Sequence, residues 1–568
     1  MFASVFVHQK TKSSRSYDYI IPANFNLSEN QLVEVPFGNK KVLGLVNAIK
    51  LSSRLAKKEI LRPISAGPVI TSFQKKLALE LSTRYMADLG AMLTGFVPSL
   101  NKKDYLRIGA DVKISNRNNL SKRFLLIADR ESRLTYYLQK LDRLKQNVIV
   151  LPTINQIQKV EKSIKKMRPE LGVAIWHSGL DSKEKATLWQ NLLENKNLVV
   201  IGTRHALFLP FTRLGSLIID DPLNFAFQED QSPYYNAYPV ARMLSGITGC
   251  QLIVGEDSPD MISYTALLRN NLEIVDIKSP LKVTSSGSWG MASQNNDFHQ
   301  KISTAINTKS RIAVVGPWRD QVRLICRDCK KESTCAKCNN IYFSQSSNIC
   351  VTCGAPLSST CNSCQSIKLD QVGFSYTNIT KQINAFFPET RDNVTTDIKH
   401  LNEKYITILS PNEVELLQPV IDYFIFPFFD FMANSPRLGA RQKLFRLIRE
   451  LTAYSAKEVF IFGENFNDSE YISQIINNDW EAFLKNELGE RRKLGLPPFT
   501  QSVLAVSRNK NVSLSKKHLG SFLDQLDKKI LILPSETQAQ FFVPHNFDFS
   551  SLTIPSSLHL EIDRNDLV

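Results

Sequence analysis

The chain has 568 residues, with 70 Lys and Arg against 54 Asp and Glu for a formal net charge of +16; 43% of it is hydrophobic and 22% charged. At roughly 150 residues per domain this length fits about four domains, and the composition excludes a largely disordered chain or a small disulfide-stapled scaffold. No stretch approaches the ~18 uncharged apolar residues of a membrane span, and Met1 to Val7 lacks the basic flank and cleavage site of a secretory signal, so a cytoplasmic protein without membrane contact is expected.

The charge is uneven. The first 123 residues hold 20 Lys and Arg but 8 Asp and Glu, a local balance of +12. Such a field attracts polyanions and releases counterions when nucleic acid docks; the alternative is a solvated basic surface. Alternating apolar residues at Ser4–Val7, Tyr17–Pro22, Leu32–Gly38 and Val42–Val46, punctuated by Gly and Pro, predict a small β domain. Residues 72–98, with Leu77, Leu79, Leu81 and Met86, read as a helical stretch ending near Gly95, followed by a basic polar connector over 101–123.

Alternating β and α follows. Phe124–Ile127, Asn147–Leu151, Val173–Trp176, Leu198–Ile201, Leu217–Ile219 and Leu252–Val254 are short apolar runs separated by helix-length polar segments, the pattern of a parallel-sheet lobe. A second set at Ile312–Val315, Tyr405–Leu409, Tyr423–Phe426 and Val459–Phe462 predicts another lobe, and from about 468 the chain reads as an α+β domain.

Eight of the nine cysteines lie between Cys326 and Cys364, spaced C-x2-C-x5-C-x2-C-x11-C-x2-C-x7-C-x2-C. Each C-x2-C knuckle supplies two thiolates along one edge of a zinc tetrahedron, so four knuckles make two structural Zn²⁺ sites, and a disulfide framework is the weaker reading for a cytoplasmic chain. A nested arrangement places Cys335, Cys338, Cys350 and Cys353 around a hairpin, with Cys326, Cys329, Cys361 and Cys364 closing outside it. Cys250 has no sequence partner and reads as a small core residue.

Taken together, the chain resembles the PriA family of primosomal replication-restart DNA helicases of superfamily 2 (primosomal protein N-prime). Tyr17-Asp18-Tyr19, Val35-Pro36-Phe37-Gly38 and Val42-Leu43-Gly44-Leu45-Val46 are similar to its domain that holds a DNA 3′ end. His177-Ser178-Gly179-Leu180 and Ile201-Gly202-Thr203-Arg204-His205 through Phe211 are similar to its first lobe, the cysteine block to its zinc insertion, and Glu490 through Phe499 to its C-terminal signature. The resemblance implies two tandem RecA-like lobes, a nested zinc pairing, and the organisation 1–100 (3′-end DNA-binding domain), 101–123 (basic linker), 124–278 (lobe 1), 279–325 with 366–467 (lobe 2), 326–365 (zinc insertion) and 468–568 (C-terminal domain). It further implies DNA contacts at Tyr17, Asp18, Gly38 and Arg62. Only residues 100–123 separate the N-terminal domain from the first lobe, so the family's winged-helix domain is expected to be missing.

The departures from the family pattern are as informative. A phosphate-binding loop needs glycines, a lysine and a hydroxyl, yet the chain contains no Gly-Lys dipeptide, and the corresponding segment is Ala128-Asp129-Arg130-Glu131-Ser132-Arg133-Leu134-Thr135. Arg133 stands at the lysine position and Leu134 at the hydroxyl. The family's D-E-E-H is Asp220-Asp221-Pro222-Leu223, its G-S-A-T-P is Gly255-Glu256-Asp257-Ser258-Pro259, and its two arginine-finger positions carry Tyr454 and Lys457. No catalytic residue and no use of ATP or Mg²⁺ is therefore expected. His177 and His205 read as structural, and Arg491-Arg492-Lys493 as a solvated basic run.

The sequence thus predicts a monomeric, zinc-containing replication-restart factor that binds branched or 3′-ended DNA and serves as a platform for primosome or helicase-loading proteins, its motor lost. Two alternatives stay open: a working 3′-to-5′ helicase with an atypical nucleotide site, and a zinc-ribbon scaffold for protein contacts.

Overall fold

In the computed structural model the described residues are 1–7, 16–110, 122–269, 271–277, 283–286, 289–316, 321–336, 343–344, 349–350, 355–373, 376–391, 393–397, 400, 405–417, 421–427, 429–433, 439–463, 470–507, 511–527, 530, 532–534, 537–545 and 547–562. The N-terminal strands β1 (Phe2–Val7), β2 (Tyr17–Ile20), β3 (Gln31–Phe37), β4 (Lys40–Lys50) and β5 (Arg62–Pro68) form an antiparallel sheet in the order β2-β1-β4-β3-β5. Its two edges meet: the Ile20 N–H donates to Lys58 C=O at 2.9 Å and the Ile60 N–H to Ile20 C=O at 3.0 Å. One face packs Val5, Val33, Val35 and Val46 inside this curl; the other turns Phe6, Leu32 and Leu45 toward the rest of the protein.

The segment expected as one helix over 72–98 is two, α1 (Ser72–Arg84) and α2 (Leu89–Phe96). Met86 adopts a left-handed φ of 50°, and the Asp88 carboxylate accepts from the Ala91 N–H to start α2 anew. Beyond it, α3 (Lys102–Tyr105) lies against the first lobe, where the Asn101 N–H donates to Ser182 Oγ at 2.8 Å; residues 111–121 of the basic segment lie outside the described residues.

The first lobe runs β6 (Arg123–Ile127), α4 (Arg130–Lys140), β7 (Gln146–Val150), α5 (Ile154–Met167), β8 (Val173–Trp176), α6 (Ser182–Leu193), β9 (Val199–Gly202), β10 (Leu214–Asp220), α7 (Ala237–Thr248), β11 (Gln251–Glu256), α8 (Met261–Leu268) and β12 (Glu273–Asp276). Its seven parallel strands take the order β12-β6-β11-β10-β7-β9-β8. β12 had no sequence signal: Glu273-Ile-Val-Asp276 is a half-polar edge strand rather than an apolar run.

The second lobe begins with β13 (Val283–Ser286), α9 (Asn296–Asn307) and β14 (Ile312–Val315), and the cysteine insertion interrupts it as β15 (Gln321–Cys326), β16 (Glu332–Ser333), β17 (Phe343–Ser344), β18 (Ile349–Cys350) and β19 (Leu369–Gly373). It resumes with α10 (Tyr376–Phe386), β20 (Val394–Thr395), β21 (Ile406–Leu409), β22 (Ile421–Phe426), α11 (Phe429–Ala433), α12 (Ala440–Tyr454) and β23 (Ser455–Phe462), giving the parallel order β13-β23-β22-β14-β21-β20. The C-terminal elements α13 (Glu470–Ile476), α14 (Trp480–Leu494), β24 (Gln501–Ser507), α15 (Val512–Leu523), β25 (Ile532–Pro534), β26 (Gln538–Val543) and β27 (Leu558–Ile562) form an α+β unit with the antiparallel order β25-β26-β24-β27.

Packing groups these units in an order the chain order does not announce. Phe6 and Leu32 of the N-terminal domain, Trp189 and Phe211 of the first lobe, and Phe541 and Ile562 of the C-terminal domain share one continuous apolar core. The second lobe has a core of its own around Phe460, whereas its core around Phe424 also takes in Met261 and Tyr264 of α8 and Phe483 of α14. Among the described residues no helix is long and apolar enough to cross a membrane.

Candidate functional site

The two lobes face each other across a cleft formed by the ends of β6, β10 and β11 on one side and α12 on the other. In a phosphate-binding loop the helix after the first strand offers free N–H groups to an anion. Here the Asp129 carboxylate takes that place: Oδ1 accepts from the Glu131 and Ser132 N–H groups at 3.0 Å each, and Oδ2 accepts from Ser132 Oγ at 2.7 Å. One turn on, Arg133 is 1% exposed. Its Nε donates to Asp220 Oδ1 at 2.7 Å and its Nη1 to Ala128 C=O at 2.7 Å and to Asp257. Tyr137 Oη donates to the same Asp220 oxygen at 2.6 Å.

This network joins the residues that stand at the lysine and carboxylate positions of the resembled family's nucleotide motifs. Burial alone would lower the Arg133 pKa, but Asp220 and Asp257 hold it well above its ordinary value. Burial would raise Asp257, and the Arg133 and Arg446 charges lower it instead. Tyr137 is pushed up, first by burial and then by Asp220, and stays protonated as a donor. Gly255 makes room for it, since a Cβ there would lie 1.5 Å from Tyr137 Oη. Leu134, at the hydroxyl position, packs against the apolar core beneath the sheet.

Across the cleft, Arg446 of α12 is ion-paired with Asp221, which takes a left-handed φ of 61° after β10. Arg449, one turn along α12, is buried and donates to Asn478 Oδ1 at 2.9 Å. The first finger position, Tyr454, accepts from Arg130 Nη1 at 2.7 Å through its hydroxyl. The second, Lys457, turns away and lies 3.4 Å from Asp422 within its own lobe. The cleft therefore does hold arginines from the second lobe, Arg449 and Arg446, five and eight residues before Tyr454 on α12. Sequence comparison missed Arg446 and Arg449 because it looked only at the motif columns; their i, i+3 spacing on one helix was the available signal.

In the N-terminal domain the period of two along β2 separates two expected DNA contacts. Tyr17 packs with the inner cluster and meets Phe37 edge-on at 5.0 Å, whereas Asp18 faces outward. Lys50 Nζ lies 2.8 Å from Asp18 Oδ1 and Ser53 Oγ donates to Oδ2 at 2.6 Å. Burial would raise this carboxyl, but Lys50 and Ser53 hold it below the ordinary value. Gly38 opens the β3–β4 turn with φ +57° and nothing within 4 Å of a would-be Cβ, so its backbone is approachable; its carbonyl accepts from Lys58 Nζ at 3.2 Å. Arg62 is paired cross-strand with Glu34 at 3.0 Å, so it is not a free cation. Lys50, Ser53 and Lys58 are the neighbours that sequence reading did not supply.

The outer cysteine set converges as expected: the sulfurs of Cys326, Cys329, Cys361 and Cys364 all lie within 4.8 Å of one another. Cys326 and Cys364 are 3.5 Å apart, and Cys329 and Cys361 3.7 Å, close to the ~3.8 Å edge of a tetrahedron with Zn–S of about 2.3 Å. Both knuckles turn identically: Lys330 and Gln365 adopt φ near 60°, and each donates its N–H at 2.9 Å to the carbonyl of the first cysteine, Cys326 or Cys361. An all-thiolate set of this shape fits a structural zinc ion. Of the inner set, Cys335 and Cys350 are buried together in the insertion, while Cys338 and Cys353 lie outside the described residues.

The other singled-out residues have local partners. His205 and Arg204 share the Glu229 carboxylate at 3.0 and 3.1 Å, and His177 Nδ1 accepts from the Gly179 N–H at 3.1 Å. Cys250 is buried, and burial raises its thiol to about 11. The expected solvated run corrects in part: Arg491 is buried against Glu487 at 2.8 Å and Arg492 stacks on Phe499, because this face of α14 packs on its own C-terminal turn.

Residues 4–98 match the PriA 3′DNA-binding domain (3′BD). The replication restart protein PriA of Helicobacter pylori strain J99 is 25% identical, covering 84% of this chain and 83% of its own; that of Rickettsia conorii is 23% identical, covering 96% of each. The chain is thus similar to replication restart proteins PriA over most of its length. The segment similar to a 3′ DNA-binding domain precedes the two parallel-sheet lobes. Among solved structures, RecG bound to a three-way DNA junction aligns with TM-score 0.37 at 13% identity, covering 74% of this chain and 46% of that one, and the helicase MrfA bound to DNA with 0.36 at 10%, covering 77% and 60%.

Proposed function

We propose that this chain is a PriA-family replication-restart factor that binds branched or 3′-ended DNA and presents a platform for helicase reloading, without hydrolysing ATP. The observation that carries the second half is the buried Arg133–Asp220–Asp257 network with its Tyr137 donor. A triphosphate entering there would have to displace Asp129 from the α4 N-terminus and strip Arg133 from two carboxylates, and separating a buried pair costs about 3–5 kcal/mol. The DNA half rests on the matched N-terminal domain and its basic charge, with Asp18, Lys50 and the Gly38 turn at the strand end, Tyr17 supporting that turn through Phe37, and Arg62 at the margin. The chain would act as a cytoplasmic monomer carrying two structural zinc ions, its partners the primosome or helicase-loading proteins.

The deciding measurement is ATP turnover with forked DNA present. A background rate insensitive to DNA is expected; a steady-state rate of order 1 s⁻¹, ordinary for an enzyme, that vanishes in Asp220→Ala would overturn the proposal. A second reading, an active motor with an atypical site, draws on Arg446 and Arg449 standing in the cleft. It requires that same turnover and, in addition, that Arg446→Ala abolish it.

A further inference from the structure

Two polar contacts join the lobes directly across the cleft. Arg446 of α12 is ion-paired with Asp221 Oδ1, the carboxylate side chain only 8% exposed. Asp221 is fixed within the first lobe: its N–H donates to Gly255 C=O at 2.8 Å and its Oδ2 accepts from Asn224 Nδ2 at 3.1 Å, which leaves the other oxygen to α12. The second contact runs from Arg130, at the start of α4, to the last residue of α12: Arg130 Nη1 donates to Tyr454 Oη at 2.7 Å, and the guanidinium lies 5.9 Å from the centroid of that ring. Arg446 and Tyr454 are eight residues apart on one helix, about 12 Å along its axis. Two attachments at that spacing set the tilt of α12 against the first lobe as well as its distance.

A further observation is independent of charge. Helix α8 follows β11 of the first lobe, yet it is apolar on two sides. Ile262 and Ala266 pack into the core that holds Trp189 and Phe211, whereas Met261, Tyr264 and Leu267 pack into the core around Phe424 and Phe445 of the second lobe. Tyr264 also meets Trp480 of α14 edge-on at 6.3 Å, and α14 leads into the C-terminal sheet whose Phe541 and Ile562 belong to the first lobe's core. The second lobe is thus seated on the first by packing, in the position where Arg446 and Tyr454 meet their partners.

Two lobes close around a ligand when the ligand contacts both of them, and a ligand shifts the equilibrium only by as much as it favours one arrangement over the other. Here the contacts that a ligand would supply are made by the chain itself. We propose that Arg446–Asp221 and Arg130–Tyr454 form a clasp that holds the lobes closed without nucleotide, so that DNA meets one fixed arrangement of the two lobes. The inference rests on the reading of the cleft as filled by the chain's own charges and goes beyond it: loss of hydrolysis alone leaves lobes free to open and close, and the clasp does not.

The test is single-molecule energy transfer in the full chain between dyes carried by noncanonical residues at two exposed positions, Lys166 of α5 and Asn307 of α9, which leaves the cysteines untouched. One population is expected without nucleotide, and its transfer efficiency should not move when AMP-PNP and Mg²⁺ are added in excess. Arg446→Ala/Tyr454→Phe should add a second population, raising the open-to-closed ratio at least about tenfold, the scale of one lost charged hydrogen bond. Lys457→Ala, whose partner Asp422 lies in its own lobe, should stay closed. Asp221→Asn keeps the shape of the side chain and tolerates the left-handed φ at that position; it should open the lobes as well, and serves as the second variant should the double substitution fail to fold. Two populations in the nucleotide-free parent, a shift of the parent with AMP-PNP, a single unmoved population in both clasp variants, or equal opening in Lys457→Ala would overturn the clasp. None of these outcomes depends on turnover: DNA-stimulated hydrolysis by a chain whose lobes stay closed would overturn the absence of an ATPase and support the clasp.

Discussion

Arg133 Nε lies 2.7 Å from Asp220 Oδ1, so the residue standing where the family has its phosphate-binding lysine is bonded to the residue standing where the family has its metal carboxylate. Two groups that should meet through a nucleotide and its Mg²⁺ meet directly. Removing one leaves the other buried and uncompensated. Arg133→Ala is expected to destabilise the chain by about 3–5 kcal/mol, measured as a lowered denaturant midpoint, whereas Leu134→Ser at the half-buried neighbour should cost much less. Equal costs would show that the network contributes little.

Gly255→Ala tests the same site without touching a charge. The added methyl would lie 1.5 Å from Tyr137 Oη, forcing Tyr137 off Asp220, and overpacking of this kind costs about 1–3 kcal/mol. The double variant Gly255→Ala/Tyr137→Phe, which removes the clashing hydroxyl, should recover part of that loss in thermal melting.

Acid should reveal Glu229. Burial would raise its carboxyl, but His205 and Arg204 lower it from 4.5 to about 2. Its folded value is therefore below its unfolded one, so its contribution is complete above about pH 4.5 and is lost as the pH falls toward 2. Partial exposure limits the effect to about 1 kcal/mol. Glu229→Gln should flatten the wild-type fall in stability between pH 4.5 and 2, followed by urea denaturation.

Metal analysis of reduced protein is expected to return two zinc ions per chain. Cys361→Ser should release one and leave the other, and so should Cys335→Ser. One ion in the parent protein would contradict the nested pairing, and loss of both from either variant would show that the sites do not form separately.

End recognition is best tested by point substitution, because the N-terminal domain shares its core with the first lobe, and deleting residues 1–100 would expose that core. Asp18→Ala should reduce the preference for a 3′-hydroxyl over a 3′-phosphate on forked DNA while leaving the salt dependence of affinity nearly unchanged. Lys58→Ala should instead lessen a slope of about −0.7 to −0.9 per phosphate neutralised. Equal binding of both ends by the parent protein would leave only the basic surface.

The elements legible beforehand were those whose signal is local. Apolar runs such as Ile312–Val315 and Leu198–Ile201 overlap observed strands, since a strand buried on both faces must be apolar along its length. The cysteine spacing placed the outer four sulfurs together, because a C-x2-C turn carries its own geometry. Missing glycine and lysine at Ala128–Thr135 were likewise visible as composition. β12 and the break at Met86 were not, the one because edge pairing rescues a polar strand, the other because a cap at Asp88 outweighed continuous helical periodicity.

What sequence alone determined was thus the inventory: two parallel-sheet lobes, a cysteine-rich insertion, an N-terminal β domain similar to a 3′ DNA-binding domain, and a segment Ala128–Thr135 without glycine or lysine. What only the tertiary structure decided was which charges compensate one another. Arg133 and Asp220 are 87 residues apart, and Arg446 and Asp221 are 225 apart; nothing in the pattern around any of them names the partner. A guanidinium beside acidic residues in sequence, as Arg133 is near Asp129 and Glu131, gives no sign of its distant partners, and becomes the centre of a closed site only when folding removes water and brings Asp220 and Asp257 to it.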